Sequence, residues 1–330
     1  LKCMHSNCSI STMNLRDIYI AGRRLRHLVR HTPLHYSWYL SKACGGRVML
    51  KLENLQYTGS FKVRGAFNKL LQLSIGDMPY GIIAASSGNH AQGLGYVCNH
   101  LGVEATIIVP LHTPRVKIEA IRKYGVDLIL HGEEYMEAER LARKMGLEQK
   151  KPFISGYNDP QIIEGQGTLG LEMLESTLDF DIVLVPVGGG GLISGVGAAV
   201  KGTDKNIEVV GVQTMASPVM SESLRMGSIV DMPLRDSIAE GLHGGIEESS
   251  ITFEICKKHV DGFILVREKT ILKAISNHLQ FDHQVVEGAG AVGAAAIIEN
   301  PERFKGKNVG VVVSGGNIDE GLLKQAANIM

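Results

Sequence analysis

The sequence predicts an α/β protein built from two three-layer α/β/α domains with mostly parallel sheets. Three observations carry that prediction. Short runs rich in Val, Ile and Leu alternate with segments of helical spacing. The runs are apolar throughout rather than at every second residue, as strands buried on both faces are. Glycine is abundant, at 39 of 330 residues, and clusters where such a run gives way to a helix.

In chain order, residues 1–14 are polar and unpatterned and read as a disordered leader. Leu15, Ile18, Tyr19, Leu25, Leu28 and Val29 recur at helical spacing over 15–30, and Thr32-Pro33 stops the pattern. Strands are expected at 47–53, 81–86, 104–110, 126–131, 181–188, 208–213, 262–266 and 308–314. Helices are expected at 60–72, 88–101, 114–124, 133–146, 160–177, 190–201, 217–226, 268–280 and 287–299. The expected large domain combines 15–75 with 159–330. The stretch 76–158 forms a small inserted α/β domain that closes over a ligand between the two.

Composition narrows the function classes. Lys plus Arg and Asp plus Glu both number 34, so the chain carries no electrostatic footprint for nucleic acid or an anionic membrane surface. The longest apolar stretches are short and rich in Gly and Ala, which argues against a membrane span. Five scattered cysteines give no disulfide framework and no zinc-ligand spacing, so a reducing cytoplasm is the expected location. Cys44, Cys98 and Cys256 read as buried thiols without a role, and Trp38 as core or interface packing.

In a parallel sheet, ligands bind beyond the C-terminal ends of the strands, so the loops found there carry the chemistry. "SSGNHAQG" (86–93) sets two hydroxyls and the N–H groups of a helix start where a carboxylate or phosphate would bind. An N-cap and a turn glycine would account for Ser86 alone, but not for the whole run. "VGGGGL" (187–192) gives consecutive N–H groups with no Cβ in the way, a cradle for phosphate. It has neither the GxGxxG spacing nor a GxxxxGK[ST] pattern. "SGGN" (314–317) ends the last strand with a hydroxyl, which a helix N-cap would explain equally well. "GSFKVRGA" (59–66) places a lysine among small and apolar residues. A lysine beside a phosphate cradle, with no metal motif, suggests a Schiff base to a phosphorylated aldehyde.

Taken in order, "HTPL" (31–34), "KLENLQYTGSFKVRGA" (51–66), "SSGNHAQG", "GQGT" (165–168), "PVGGGGL" (186–192), "EGAGAVG" (287–293) and "SGGN" resemble the fold type II, tryptophan synthase β-like, pyridoxal-phosphate enzymes. Within them the chain is similar to the threonine/serine dehydratase and serine racemase group, over about 15–330. The resemblance implies pyridoxal 5'-phosphate as cofactor. Lys62 would bond its aldehyde and Phe61 would pack beside its ring. Asn89 would face the ring hydroxyl, Gly188, Gly189, Gly190, Gly191 and Leu192 would hold the phosphate, and Ser314 would meet the ring nitrogen. Ser86, Ser87 and His90 would receive the substrate, with Asn158 a further contact. Lys62 is the expected catalytic base, and Ser87 takes the place of the second base that a racemase needs.

The implied reaction is β-elimination of water from L-threonine or L-serine, giving a 2-oxo acid and ammonia. Racemisation, dehydration of another β-hydroxy amino acid such as 3-hydroxyaspartate or a phenylserine, β-replacement, and an amino-acid sensor without catalysis are the alternatives. Some members of the group hold a divalent cation with a Glu and an Asp. Gln213 and Val219 stand at those places here, so no metal site is expected. The chain ends soon after "SGGN", which favours a single-domain, catabolic form. Glu287 reads either as a first-turn acid favoured by the helix dipole or as a neighbour of the cofactor ring. Loop 239–255 is expected to wall the substrate. A homodimer is the expected assembly, with a tetramer as the alternative, and an amino acid is the only expected partner.

Overall fold

The computed structural model describes residues 13–329. The expected leader therefore lies outside the described residues up to position 12. Met13 is buried with Ile18 and Leu171, and Asn14 caps the first helix by accepting from Asp17 N at 3.1 Å.

Helix α1 (Leu15–Leu25) leads to strand β1 (Leu34–Tyr36), helix α2 (Trp38–Cys44), strand β2 (Arg47–Leu52) and helix α3 (Lys62–Leu70). Next come β3 (Ile82–Ala85), α4 (Asn89–Leu101), β4 (Ala105–Val109), α5 (Arg115–Arg122), β5 (Asp127–Leu130) and α6 (Tyr135–Gln149). Helix α7 (Pro160–Ser176) precedes β6 (Ile182–Pro186), α8 (Gly191–Thr203), β7 (Glu208–Thr214), α9 (Val219–Met226), α10 (Ile251–His259) and β8 (Gly262–Val266). Helices α11 (Glu268–Asn277) and α12 (Gly288–Glu299), strand β9 (Asn308–Val313) and helix α13 (Glu320–Ala327) complete the chain.

The strands form two sheets, one of six strands in the order β1-β2-β9-β6-β7-β8 and one of three in the order β3-β4-β5. Every pairing is parallel except β1 with β2. Strands β3, β4 and β6 are buried at every position, which is why they read as unbroken apolar runs. One core packs α11 and α12 against the six-stranded sheet, and a second packs α7 and α8 on that sheet through Leu169, Ile193 and Val196.

Sequence and structure differ at several edges. The first helix stops at Leu25, five residues short of the expected end, because the pattern beyond it packs as a turn closed by Leu28 N to Leu25 O. Part of the 239–255 loop is helix α10, and the short elements β1, α2 and α13 are absent from the sequence-based expectation. Trp38 is 60% exposed, not core, and Lys42 lies over its ring.

Helix α3, which begins with Lys62, is seated on α7 by backbone contact. A Cβ on Gly165 would lie 2.6 Å from Gly65 Cα, and Gln166 Oε1 accepts from Gly65 N at 3.2 Å. Side chains at this crossing would push the two helices apart and move the lysine with them.

Candidate active site

The register of the large sheet gathers distant parts of the chain. Strands β2, β9 and β6 are consecutive and parallel, so their C-terminal ends lie side by side. β2 feeds the Lys62 loop, β9 ends at Ser314 and β6 ends at the glycine run. Backbone bonds join the first two: Ser60 bridges Gly315, and Phe61 N donates to Ser314 O at 3.1 Å.

Lys62 is the first residue of α3, where the helix dipole disfavours a cation. Its Nζ donates to Gly156 O at 2.8 Å and lies 5.2 Å from the centre of the Phe61 ring. Burial lowers its pKa to about 8, against the pull of Glu287 in the other direction. The neutral amine that attacks an aldehyde or accepts a proton is thus within reach near neutral pH.

The loop after β3 delivers the second group. Ser86 Oγ accepts from Gly88 N at 3.2 Å and closes the turn, with Ser87 half-buried beside it. Asn89 opens α4; its Nδ2 donates to Glu287 Oε1 at 2.7 Å and its Oδ1 accepts from Asn317 Nδ2 at 2.7 Å. His90 is turned inward, with Nε2 donating to Ile154 O at 3.0 Å. Burial, and then the Lys62 charge, push its pKa down to about 3, so the ring stays neutral. What His90 leaves for a ligand is its backbone N–H in the first turn of the helix.

The glycine run is crowded on its far side. A Cβ on Gly189 would lie 2.7 Å from the Tyr157 ring, and one on Gly191 2.9 Å from Tyr157 Cα. Gly190 has φ +88° and caps α8, with Gly191 as the first helical residue. Gly188 and Gly189 are partly exposed, whereas the Leu192 side chain is in the core, so Leu192 offers a ligand its N–H. Asn158 stands next to this wall with both ends of its amide engaged. Its Nδ2 donates to Glu247 Oε2 and its Oδ1 accepts from Ile251 N, each at 3.0 Å.

Two further side chains join the site: Glu287, which the sequence left between a first-turn acid and a neighbour of the cofactor ring, and Asn317, to which the sequence assigned no role. Glu287 faces both Asn89 and Lys62, and burial raises its pKa to about 7. Asn317 bridges Asn89 and Thr58 O. "EGAG" and "SGGN" contain both residues, but nothing local marks either as a neighbour of residue 89. Gln213 is buried, its Nε2 donating to Ser217 O at 3.3 Å and its Oε1 accepting from Ser221 N at 2.8 Å. Val219 is buried too. Among the described residues no group of three His, Cys, Asp or Glu side chains could hold a metal ion, and no helix is long and apolar enough to cross a membrane.

A half-buried lysine, a glycine cradle and a strand-end hydroxyl at adjacent strand ends define a site for a phosphorylated aldehyde cofactor. The chain belongs to the pyridoxal-phosphate dependent enzyme family, whose sequence pattern matches residues 25–315. It is similar to the L-threonine ammonia-lyase of Thermotoga maritima, with 43% identity over 96% of this chain and 78% of that one. It is also similar to the catabolic L-threonine dehydratase TdcB of Staphylococcus aureus, with 39% identity over 96% and 94% of the two chains. Among solved structures, maize serine racemase superimposes with a TM-score of 0.90 at 30% identity, over 96% of this chain and 98% of that one. The fold is that of the fold type II enzymes.

The residues fit the cofactor. Lys62 would supply an amine for the aldehyde, and the 188–191 run would supply backbone N–H groups where Cβ atoms would collide with Tyr157 at Gly189 and Gly191 and with Leu242, Met220 and Thr252 at Gly188 and Gly190. Ser314, 3% exposed at the end of β9, supplies a neutral hydroxyl.

Proposed function

We propose that the protein is an L-threonine/L-serine ammonia-lyase. Net, threonine gives 2-oxobutanoate and ammonia, and serine gives pyruvate and ammonia; the water that leaves is balanced by the water that hydrolyses the enamine product. The observation that carries the reading is Lys62, a half-buried amine with a pKa lowered to about 8 at the meeting of three strand ends. The likeness to the threonine ammonia-lyase supports the choice of substrate.

When bound, pyridoxal phosphate supplies an electron-withdrawing ring that acidifies the substrate Cα–H bond. Lys62 is the base that takes that proton. The N–H groups of 188–191 and of Leu192 would hold the phosphate at the start of α8. Ser314 would offer the ring nitrogen a hydroxyl that carries no charge, which would favour elimination over transamination. Asn89 would bind the ring hydroxyl and Phe61 would pack beside the ring. Ser86, Ser87 and the first-turn N–H groups of α4 receive the substrate carboxylate, and Asn158 borders the substrate.

Residues 15–75 and 159–330 form the large domain, and 76–158 the small one that closes over the substrate to exclude water. The free, buried Cys44, Cys98 and Cys256 suit a reducing cytoplasm. The assembly is a homodimer, with a tetramer as the alternative that light scattering separates.

Racemisation of serine is the second reading, favoured by the half-buried Ser87 next to the α4 start and by the likeness to maize serine racemase. One experiment separates the two. The protein loaded with cofactor is incubated in turn with L-threonine, L-serine, D-serine and L-threo-3-hydroxyaspartate. Oxo acid and ammonia are followed together with chiral analysis of the remaining amino acid. Stoichiometric oxo acid and ammonia from threonine or serine is the expected result. Inversion faster than elimination makes the protein a racemase, and turnover of hydroxyaspartate alone replaces the substrate.

A further inference from the structure

Residues 155–158 form one short turn that meets the site twice. Gly156 O accepts from Lys62 Nζ at 2.8 Å, the Tyr157 ring packs on Gly189 and the Tyr157 backbone on Gly191 of the phosphate cradle. Ser155 Oγ braces the turn from within, accepting from Asn158 N at 3.0 Å. The brace from outside is Glu247, in the segment before α10. Its backbone N–H donates to the Tyr157 hydroxyl at 3.0 Å. Its Oε2 accepts from Asn158 Nδ2 at 3.0 Å and also from Arg143 Nη2 at 3.0 Å. Arg143 lies on α6, which packs against the three-stranded sheet. One carboxylate therefore touches the turn that borders both ends of the cofactor site and a helix of the smaller sheet.

We propose that Glu247 is a positioning residue for cofactor binding, fixing through the 155–158 turn both the wall of the phosphate cradle and the carbonyl that holds Lys62. Its bond to Arg143 makes that wall sensitive to where α6 sits. Two features separate this role from ordinary packing. Glu247 is only partly buried, its side chain 24% exposed, so it is not needed to fill the core. Every partner named for its carboxylate is a donor from a different segment, which is the arrangement that orients rather than fills. The inference rests on the cofactor site described above and not on which amino acid is dehydrated.

The test uses the full-length protein stripped of cofactor, as wild type, Glu247→Ala, Glu247→Gln and Arg143→Gln. Each is titrated with pyridoxal phosphate in the absence of amino acid, reading visible absorbance for Kd and phosphorus NMR for the bound phosphate. Loss of hydrogen bonds to a charged group predicts a Kd about tenfold higher for Glu247→Ala, with a shifted phosphate resonance. Glu247→Gln keeps an oxygen for Asn158 but no charge for Arg143. It and Arg143→Gln both loosen the tie to α6 and are expected to raise the cofactor Kd several-fold, less than Glu247→Ala does. A Glu247→Ala protein with wild-type Kd and phosphate resonance overturns the inference alone. If that variant does not fold, a cofactor Kd unchanged in both Glu247→Gln and Arg143→Gln overturns it. Failure of the wild type to take up the cofactor overturns the site assignment and this inference with it.

Discussion

The Asn89 side-chain amide donates to Glu287 Oε1 at 2.7 Å across 198 residues of chain, joining the first turn of α4 to the N-cap of α12. The carboxyl so held belongs to a group whose pKa burial has raised from 4.5 to about 7. The folded protein therefore binds this proton more tightly than the unfolded chain. Its stabilising effect is complete below about pH 4.5 and is lost as pH rises through about 7. Glu287→Gln removes the dependence. Urea midpoints of the cofactor-free proteins are expected to favour the variant more at pH 8 than at pH 5. An equal difference at both values would contradict the burial of this carboxyl.

Lys62 shifts the other way, from 10.5 down to about 8. Between those values the unfolded chain binds the extra proton, so stability relative to Lys62→Met rises with pH from about 8 to 10.5. Cofactor uptake by the wild type is expected to rise through pH 8 as the amine becomes neutral. Lys62→Ala is expected to keep its circular dichroism and to lose turnover by about a thousandfold or more, since on the proposed reading it removes both the covalent anchor and the base.

Gly189→Ala is expected to cost about 1–3 kcal/mol and to weaken cofactor binding, because its Cβ would stand 2.7 Å from the Tyr157 ring and the loop or the ring must move. Gly245→Ala is the control, with nothing within 4 Å of its Cβ. Urea unfolding and cofactor titration of both proteins check the contrast.

Behind the site, Arg64 is fully buried and binds both oxygens of Glu53 at 2.8 Å, with Glu172 Oε1 at 2.6 Å and Lys51 Nζ to Glu172 Oε2 at 2.5 Å. Two cations and two carboxylates balance. Arg64→Met would leave a buried carboxylate without its partner, at about 3–5 kcal/mol. A lower urea midpoint for Arg64→Met than for an exposed change such as Arg115→Gln is the expected result.

The alternation of strands and helices was legible because both faces of each inner strand are covered, so the whole run must be apolar. The loops that carry Lys62, the 188–191 run and Ser314 stood out for a related reason, since small and polar residues interrupt the apolar pattern there; their roles toward the cofactor belong to the proposal. The short elements β1, α2, α10 and α13 were missed, since a three-residue strand or about two turns of helix carry little periodicity, whereas α5 and α9, as short, were read from their place soon after a strand.

Glu287, Asn317, Gly156 and Glu247 belong to a different kind of information. A carboxylate at a helix start, an asparagine in a turn or a backbone carbonyl looks the same in sequence whether it faces solvent or a lysine. By itself the sequence determined the fold class, because the alternation of apolar strands and helices repeats along the chain, and it determined the cofactor type through motifs whose order resembles a known family. The tertiary structure decided which donors are already engaged, how far burial moves Lys62 and Glu287, and that His90 turns inward to Ile154. Those outcomes depend on desolvation and on distances between segments up to 198 residues apart, and no local pattern encodes them.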